Sequence, residues 1–391
     1  LLLGVAVGLT LFGLAMIASV SVYQSFTLTT RLVEKGILDE PTNAFYLYRH
    51  LTYVLGGMVV LFLFTVIPYR VWERLSLPLY VGSLLLTLSV FLPGIGAEYG
   101  TSRSWINVMG FSLQPIEILK LALIVYLAVW LQKREQAILT FHGGFLPFVT
   151  LLSLSVLLIA LQPDFGGVIV LGSIASVMFY LAGGRISYLL LGAVVALLIA
   201  FPLILSEDYV RSRFMAFLNP SDPTIAETSG FQIQQALIAI GSGRLFGVGY
   251  GKSIQKFGYL PEVQSDTIFA AMGEELGFFR LLIILSLYSI LIHRAFQISR
   301  QAPDRFSILV AAGIASGIGV QTLVNIAVNL SLLPLTGITL PLLSYGGSSL
   351  WMTLASIGIL LNISSTTSHD QIASRRRRLH WPHFPLPRRR A

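Results

Sequence analysis

Ten apolar runs leave this chain little choice of fold; they lie at residues 1–22, 50–68, 77–94, 115–132, 144–161, 165–183, 186–205, 267–293, 306–330 and 338–363. Each comes near the roughly 20 residues that cross a bilayer as a helix. Lipid offers the backbone no hydrogen-bond partner, so a chain of this kind satisfies its own amides in helices. The expected fold class is therefore all-α: a polytopic membrane helical bundle of about ten transmembrane helices. Charged residues make up 11% of the 391, against roughly 25% in an ordinary soluble domain, and the mean hydropathy is +0.78. A soluble class is excluded. The short runs either side of QPDFGG (162–167) read as two spans or as a re-entrant pair.

Lys and Arg in the connections set the orientation, because cytoplasmic loops carry the excess. With both termini cytoplasmic, fifteen basic residues fall inside, among them Arg70, Arg74, Lys133, Arg134 and seven arginines of the tail, and nine fall outside. The tail, 366–391, carries RRRR (375–378) and RRR (388–390) and accounts for much of the net charge of +8. A basic juxtamembrane tail anchors topology and touches anionic lipid headgroups; nucleic acid is not an expected partner. The absence of cysteine excludes disulfides, thiol chemistry and Cys-ligated metal. The first run reads as a retained span, since no small-residue cleavage site follows it. Residues 1–365 read as one membrane domain with two large outer loops, 95–114 and 206–265, and FQIQQALIAI (231–240) within the second reads as an amphipathic helix capping the membrane surface.

Charged groups inside spans cost about 2.5–3.5 kcal/mol each on insertion scales, so each is a functional candidate. The fourth span opens with QPIEILK, which places Glu117 and Lys120 on one helical face after Gln114. An internal ion pair explains them, and so does a polar cavity in which the ammonium meets an anionic group. Arg49 precedes the second span, and Arg103 and Trp105 lie in the first large loop. Interfacial anchoring accounts for each singly, while a rim collecting Arg49, Arg103 and Lys120 suits a diphosphate. Asp266 lies between a polar stretch holding Lys252, Lys256 and Glu262 and an apolar run. Spacing alone fits a helix N-cap as well as a general base. PLTGITLPLLSYGGSSLWM (334–352), with Ser344 and Ser348, packs Pro, Gly and Ser at the start of the last span. Such backbone sits at membrane depth only where it is buried in protein or lines a cavity, which points to a substrate groove.

Six motifs in order resemble the SEDS family (shape, elongation, division and sporulation): RSWI (103–106), QPIEILKLALIVYLA (114–128), QPDFGG, AFLNPSDP (216–223), LIAIGSGRLFGVGYGKSIQKFGYLPE (237–262) and PLTGITLPLLSYGGSSL (334–350). The resemblance implies the ten-span SEDS fold and a peptidoglycan glycosyltransferase. Such an enzyme polymerises lipid II on the outer face of the bacterial cytoplasmic (inner) membrane with a class B penicillin-binding protein transpeptidase, among other divisome or elongasome membrane proteins. It places the catalytic acid in PEVQSD, at Asp266, and associates Arg49, Arg103, Trp105, Glu117 and Lys120 with the polar cavity. SIQKFGYLPE (253–262) and the basic tail look closer to the division branch of the family than to the elongation branch. Three departures stand out: Gln264, Ser265, Asp266 and Thr267 replace the usual His-Thr-Asp-Phe, Arg244 stands where Gly is usual, and Ile116 replaces a common Ser. A helper histidine is thus absent.

The implied chemistry suits these residues. A diphosphate leaves without a general acid if its charge is stabilised, so one base suffices, whereas inverting glycosidases need an acid and a base. The resemblance leaves room for a divalent cation, Mg or Mn, as part of an electrostatic clamp, but the sequence shows no dedicated metal cage and no certain cofactor. Two other function classes stay open at this point: a transporter that flips lipid II, and a non-catalytic divisome scaffold.

Overall fold

In the computed structural model, the described residues are 1–93, 96–99, 102–108, 111–206, 208–220 and 229–379; the side chain of Arg103 and residues 380–391 of the tail lie outside them. Thirteen α-helices and three short strands make up the described chain. The first part holds α1 (Leu2–Val20), α2 (Val22–Glu34), α3 (Phe45–Val66) and α4 (Tyr69–Ser89). The strands β1 (Gly96–Tyr99), β2 (Ser102–Val108) and β3 (Phe111–Leu113) follow, then α5 (Pro115–Gln132), α6 (Leu146–Ala160), α7 (Phe165–Leu181) and α8 (Ile186–Ser206). The remainder is α9 (Asp208–Leu218), α10 (Ser229–Gly243), α11 (Ile268–Gln301), α12 (Arg305–Asn329) and α13 (Gly347–Leu379).

The described residues of the ten apolar runs fall largely on helices, except that the last run starts as irregular chain and becomes helical only at Gly347. Seven described helices are long and apolar enough to cross a membrane: α1, α3, α5, the 141–160 segment ending in α6, α11, α12 and the first part of α13. The other three runs lie on α4, whose first turns carry Arg70, Glu73 and Arg74, and on the shorter apolar helices of α7 and α8. QPDFGG separates α6 from α7, and Asp164 caps α7 by accepting the Gly167 amide at 2.8 Å. The loop at 95–114 contains a small antiparallel sheet ordered β1-β2-β3, with Ile106 paired to both Gly96 and Leu113. The expectation of an all-α fold did not include this sheet.

The core centres on α12 and α5. Small residues let α12 approach its neighbours: a methyl at Gly313 would meet Ile124 of α5 and Met178 of α7, each at 2.7 Å. Asp304 starts α12 with a full capping box, accepting from the Ser307 amide at 2.8 Å. Gly56 and Gly57 of α3 likewise admit Trp351 of α13, whose Nε1 donates to the Tyr53 carbonyl at 2.8 Å. By contrast α8 stands at the periphery, with Leu190, Leu197 and Leu198 each more than 60% exposed.

The run at 267–293 is not one straight span. Gly277 takes φ 75° and ψ 177°, breaking α11 after nine residues. Backbone groups freed by a break must find partners, and residues 244–249 supply them. Val248 and Gly249 donate to the carbonyls of Glu274 and Glu275 at 2.9 and 3.0 Å, while Phe278 and Phe279 donate to those of Arg244 and Leu245 at 2.9 and 3.2 Å. The buried half-helix 268–276 therefore belongs to a protein cap over the bundle. As expected for 231–240, α10 is helical, and it packs on this half-helix through Ile240 against Gly273.

Candidate active site

Three elements converge on Asp266: the loop before α11, the outgoing end of α12, and the non-helical stretch from 330 to 346. Each holds the loop by its main chain. The amide of Tyr345 donates to the Gln264 carbonyl at 2.8 Å, and the Ser344 hydroxyl donates to the Ser265 carbonyl at 2.5 Å. Asn325 and Asn329 both donate to the Asp266 carbonyl at 2.9 Å. Three consecutive carbonyls are thus clamped by neighbours distant in sequence, and the peptide planes carrying Asp266 are held in place.

The Asp266 side chain is no helix cap. Helix α11 starts after Thr267, which makes no side-chain capping bond. The carboxylate is instead half-buried, with Oδ1 accepting from Ser265 Oγ at 2.9 Å and Oδ2 near the Cα of Gly337, where an added methyl would stand 4.0 Å away. Burial and the neighbouring Glu262 charge push its pKa up from 3.8 to about 6, against the opposing pull of the Ser265 hydroxyl, its own amide and Arg213. At neutral pH it is ionised yet basic enough to accept a proton, as a general base must be.

A second polar cluster lies on α5. Lys120 Nζ is 2.7 Å from Glu117 Oε2 and donates to Gln321 Oε1 at 2.6 Å. Gln321 in turn donates to the Thr339 carbonyl at 3.1 Å. The pair borders a cavity of about 40 Å³ whose lining is mostly apolar, Ile124, Ile174 and Met352 among it, with Gln321, Thr353 and Ser356 as its other polar groups. Asp164 is electrostatically coupled to this cluster: burial raises its carboxyl, while the Gly167 amide, Lys120 and Arg213 pull it down. Arg213, on α9, acts on both Asp164 and Asp266 and donates to the Leu335 carbonyl at 3.2 Å.

The other expected site residues divide. Gln114 and Ser348 meet, the Gln114 amide donating to Ser348 Oγ at 3.0 Å, and that hydroxyl donates to the Ser112 carbonyl at 3.3 Å. Ser344 holds the Asp266 loop, and its oxygen also accepts the Leu340 amide at 2.8 Å. Arg49 Nε donates to the Tyr53 hydroxyl at 3.0 Å beneath the Tyr345 ring, so it reaches the site through an aromatic cluster. Trp105 is half-buried on β2. Arg103 lies on the same strand, its side chain outside the described residues.

Sequence reasoning missed Arg213, Gln321, Asn325 and Asn329. The last three stand four residues apart on one face of an otherwise apolar helix, and that periodicity was the available signal. Among the described residues no three His, Asp or Glu side chains gather to hold a metal ion; the donors around Asp266 do not make a dedicated cation site.

A bundle of apolar helices, with a half-buried carboxylate on a clamped loop just before α11, defines a polytopic membrane protein. The chain belongs to the FtsW, RodA and SpoVE family of cell cycle proteins, whose family model matches residues 1–369. It is 40% identical over 362 residues to a probable peptidoglycan glycosyltransferase FtsW of Geobacter sulfurreducens, covering 92% of this chain and 93% of that one. It is 42% identical over 320 residues to the stage V sporulation protein E of Bacillus subtilis, covering 82% and 87%. The fold resembles the rod shape determining protein RodA of Thermus thermophilus at 28% identity and a TM-score of 0.66, covering 94% and 96%. It also resembles a chain from a peptidoglycan synthase complex, solved to show how polymerization and crosslinking are coordinated, at 27% identity and a TM-score of 0.74, covering 94% and 97%.

Proposed function

We propose that this chain is a peptidoglycan glycosyltransferase that polymerises lipid II into β-1,4 glycan strands on the outer face of the cytoplasmic membrane, with Asp266 as general base. The observation that carries this reading is the half-buried Asp266 carboxylate just before α11, raised to about 6, on a loop whose three carbonyls are clamped from other elements. Ionised Asp266 takes the proton from the 4-hydroxyl of the acceptor GlcNAc as that oxygen attacks the anomeric carbon of the donor MurNAc. The bond to the polyprenyl diphosphate breaks, and the α-linked donor becomes a β-linked product. A positioned base contributes about 10²–10⁴ in rate.

Cations meet the departing diphosphate. Lys120, Arg103 and Arg49 were the candidates from sequence, and Arg213 joins them by its electrostatic reach to Asp164 and Asp266. Mg or Mn enters this scheme only as an ion carried by the diphosphate. Gln114, Trp105, Glu117, Ser344 and Ser348 shape the groove, two of them by holding backbone. A class B penicillin-binding protein is the partner that the complex-derived structural relative supports; other divisome or elongasome proteins and anionic lipid at the basic tail complete the set. FtsW-named relatives at about 40% identity favour septal over lateral synthesis.

Purified protein given labelled lipid II tests the reading. Wild type forms glycan chains and Asp266→Asn forms none. Polymer from Asp266→Asn removes Asp266 as the base, lipid translocation without polymer supports a flippase, and neither activity leaves a scaffold.

A further inference from the structure

We propose that Ser265 and Glu262 form a proton exit for Asp266, with Ser265 relaying to the exposed Glu262 carboxylate the proton that Asp266 takes from the acceptor hydroxyl. This rests on Asp266 being the base.

The geometry is a hydroxyl between two carboxylates. Ser265 Oγ stands 2.9 Å from Asp266 Oδ1 and 2.9 Å from Glu262 Oε2. A hydroxyl carries one hydrogen. With both carboxylates ionised, one of these contacts sets oxygen against oxygen with nothing between them. A second proton, on either carboxyl, satisfies both. The arrangement therefore suits a proton arriving on Asp266, which completes both contacts.

Asp266 also needs a route. Its loop carbonyls are held at 264, 265 and 266 by Tyr345, Ser344 and the two asparagines, so the main chain keeps Ser265 beside Asp266 while an acceptor sugar occupies the open side of the carboxyl. Glu262 lies at the exposed rim. In the transfer, the Asp266 O–H bond breaks as Ser265 Oγ gains that proton, and the original Ser265 hydrogen passes to Glu262 Oε2. Two O–H bonds break and two form, no charge gathers on Ser265, and Glu262 then releases its proton to water. Asp266 is left ionised for the next addition. The charged groups facing Asp266 are Glu262 on its own loop and Arg213 from α9; α12 presents the neutral Asn325 and Asn329, and the 330–346 stretch presents Gly337 and backbone.

Rates of lipid II polymerisation by the full chain are to be measured from pH 5 to 9 for Ser265→Ala, Ser265→Thr, Glu262→Gln and Asp266→Asn, with the thermal midpoint of each. Glu262 is exposed, so Glu262→Gln is expected to fold as wild type. Ser265→Ala lowers kcat roughly tenfold with little change in KM, and Ser265→Thr, which keeps the hydroxyl, restores it. Glu262→Gln lowers the plateau and moves the acid limb down by roughly one pH unit, because a like charge beside Asp266 is gone. Wild-type kcat and acid limb in Ser265→Ala and Glu262→Gln overturn the relay and leave Asp266 as base. A Ser265→Thr variant no better than Ser265→Ala also overturns it. Polymer from Asp266→Asn overturns the underlying reading instead.

Discussion

Asp266 is ionised above about pH 6, so the polymerisation rate is expected to climb through that value and level off above it. The same shift acts on stability with a definite sign. Between 3.8 and about 6 the folded chain holds a proton that the unfolded chain has released, so stability falls as pH rises through that window. Asp266→Asn should flatten this fall in thermal-denaturation midpoints taken from pH 4 to 7. Arg244 is a second residue with an outlying demand: at φ 47° it occupies the left-handed region just past α10, a conformation that favours Gly. Arg244→Gly is expected to stabilise by about 1 kcal/mol, read as a raised midpoint. The acid itself was legible from its place between polar and apolar sequence, but its role was not. A cap and a base have the same spacing, and only the start of α11 after Thr267 separates them.

Helix α12 shows what a pattern can hide. Gln321, Asn325 and Asn329 are buried at 5, 1 and 2% exposure, where unpaired amides would be costly. Asn325 and Asn329 find carbonyls, those of Asp266 and Ile338 among them, while Gln321 bonds the Lys120 ammonium and the Thr339 carbonyl. Asn325 donates to the Asp266 and Ile338 carbonyls, tying both walls of the crevice to one helix. Asn325→Leu should therefore reduce kcat by at least tenfold while polymer length at saturating substrate changes little; a wild-type rate would show that the clamp is dispensable. The loop of 249–262 has an analogous fastening. Lys256 donates to Glu275 at 3.0 Å and to Ser19 of α1 at 3.2 Å, and Glu274 accepts the Ile254 amide at 2.9 Å and the Ser253 hydroxyl. Lys256→Met leaves the buried Glu275 charge without its ammonium, which typically costs about 3–5 kcal/mol. A large drop in the thermal midpoint in detergent is the expected reading. The helices themselves followed from apolar run length, whereas the break at Gly277 did not, because its cause is the partner strand of backbone at 244–249.

At the scale of the molecule, ten apolar runs and a basic tail argued for a ten-span bundle with both ends inside. The chain contains no cysteine, so a single introduced thiol reports its own side of the membrane. Ile254→Cys, exposed in the loop, should react in intact cells with a membrane-impermeant maleimide, and Glu135→Cys, exposed after α5, only after lysis. The reverse pattern would invert the topology and place Asp266 away from any outer-face reaction. The pairing of residues 244–249 with the broken α11 runs mostly through main-chain atoms, with Arg280 adding a side-chain bond to the Phe246 carbonyl at 2.8 Å, and this divides the cap into two kinds of position. The side chains of Leu245 and Val248 take no part in those bonds, while the Phe246 ring packs on Phe279 of α11 with centroids 5.5 Å apart. A methyl at Gly247 or Gly277, in contrast, would come within 2.3 and 2.1 Å of opposing backbone. The cap thus tolerates change at exposed side chains such as Leu245, while two glycines keep its main-chain pairing close.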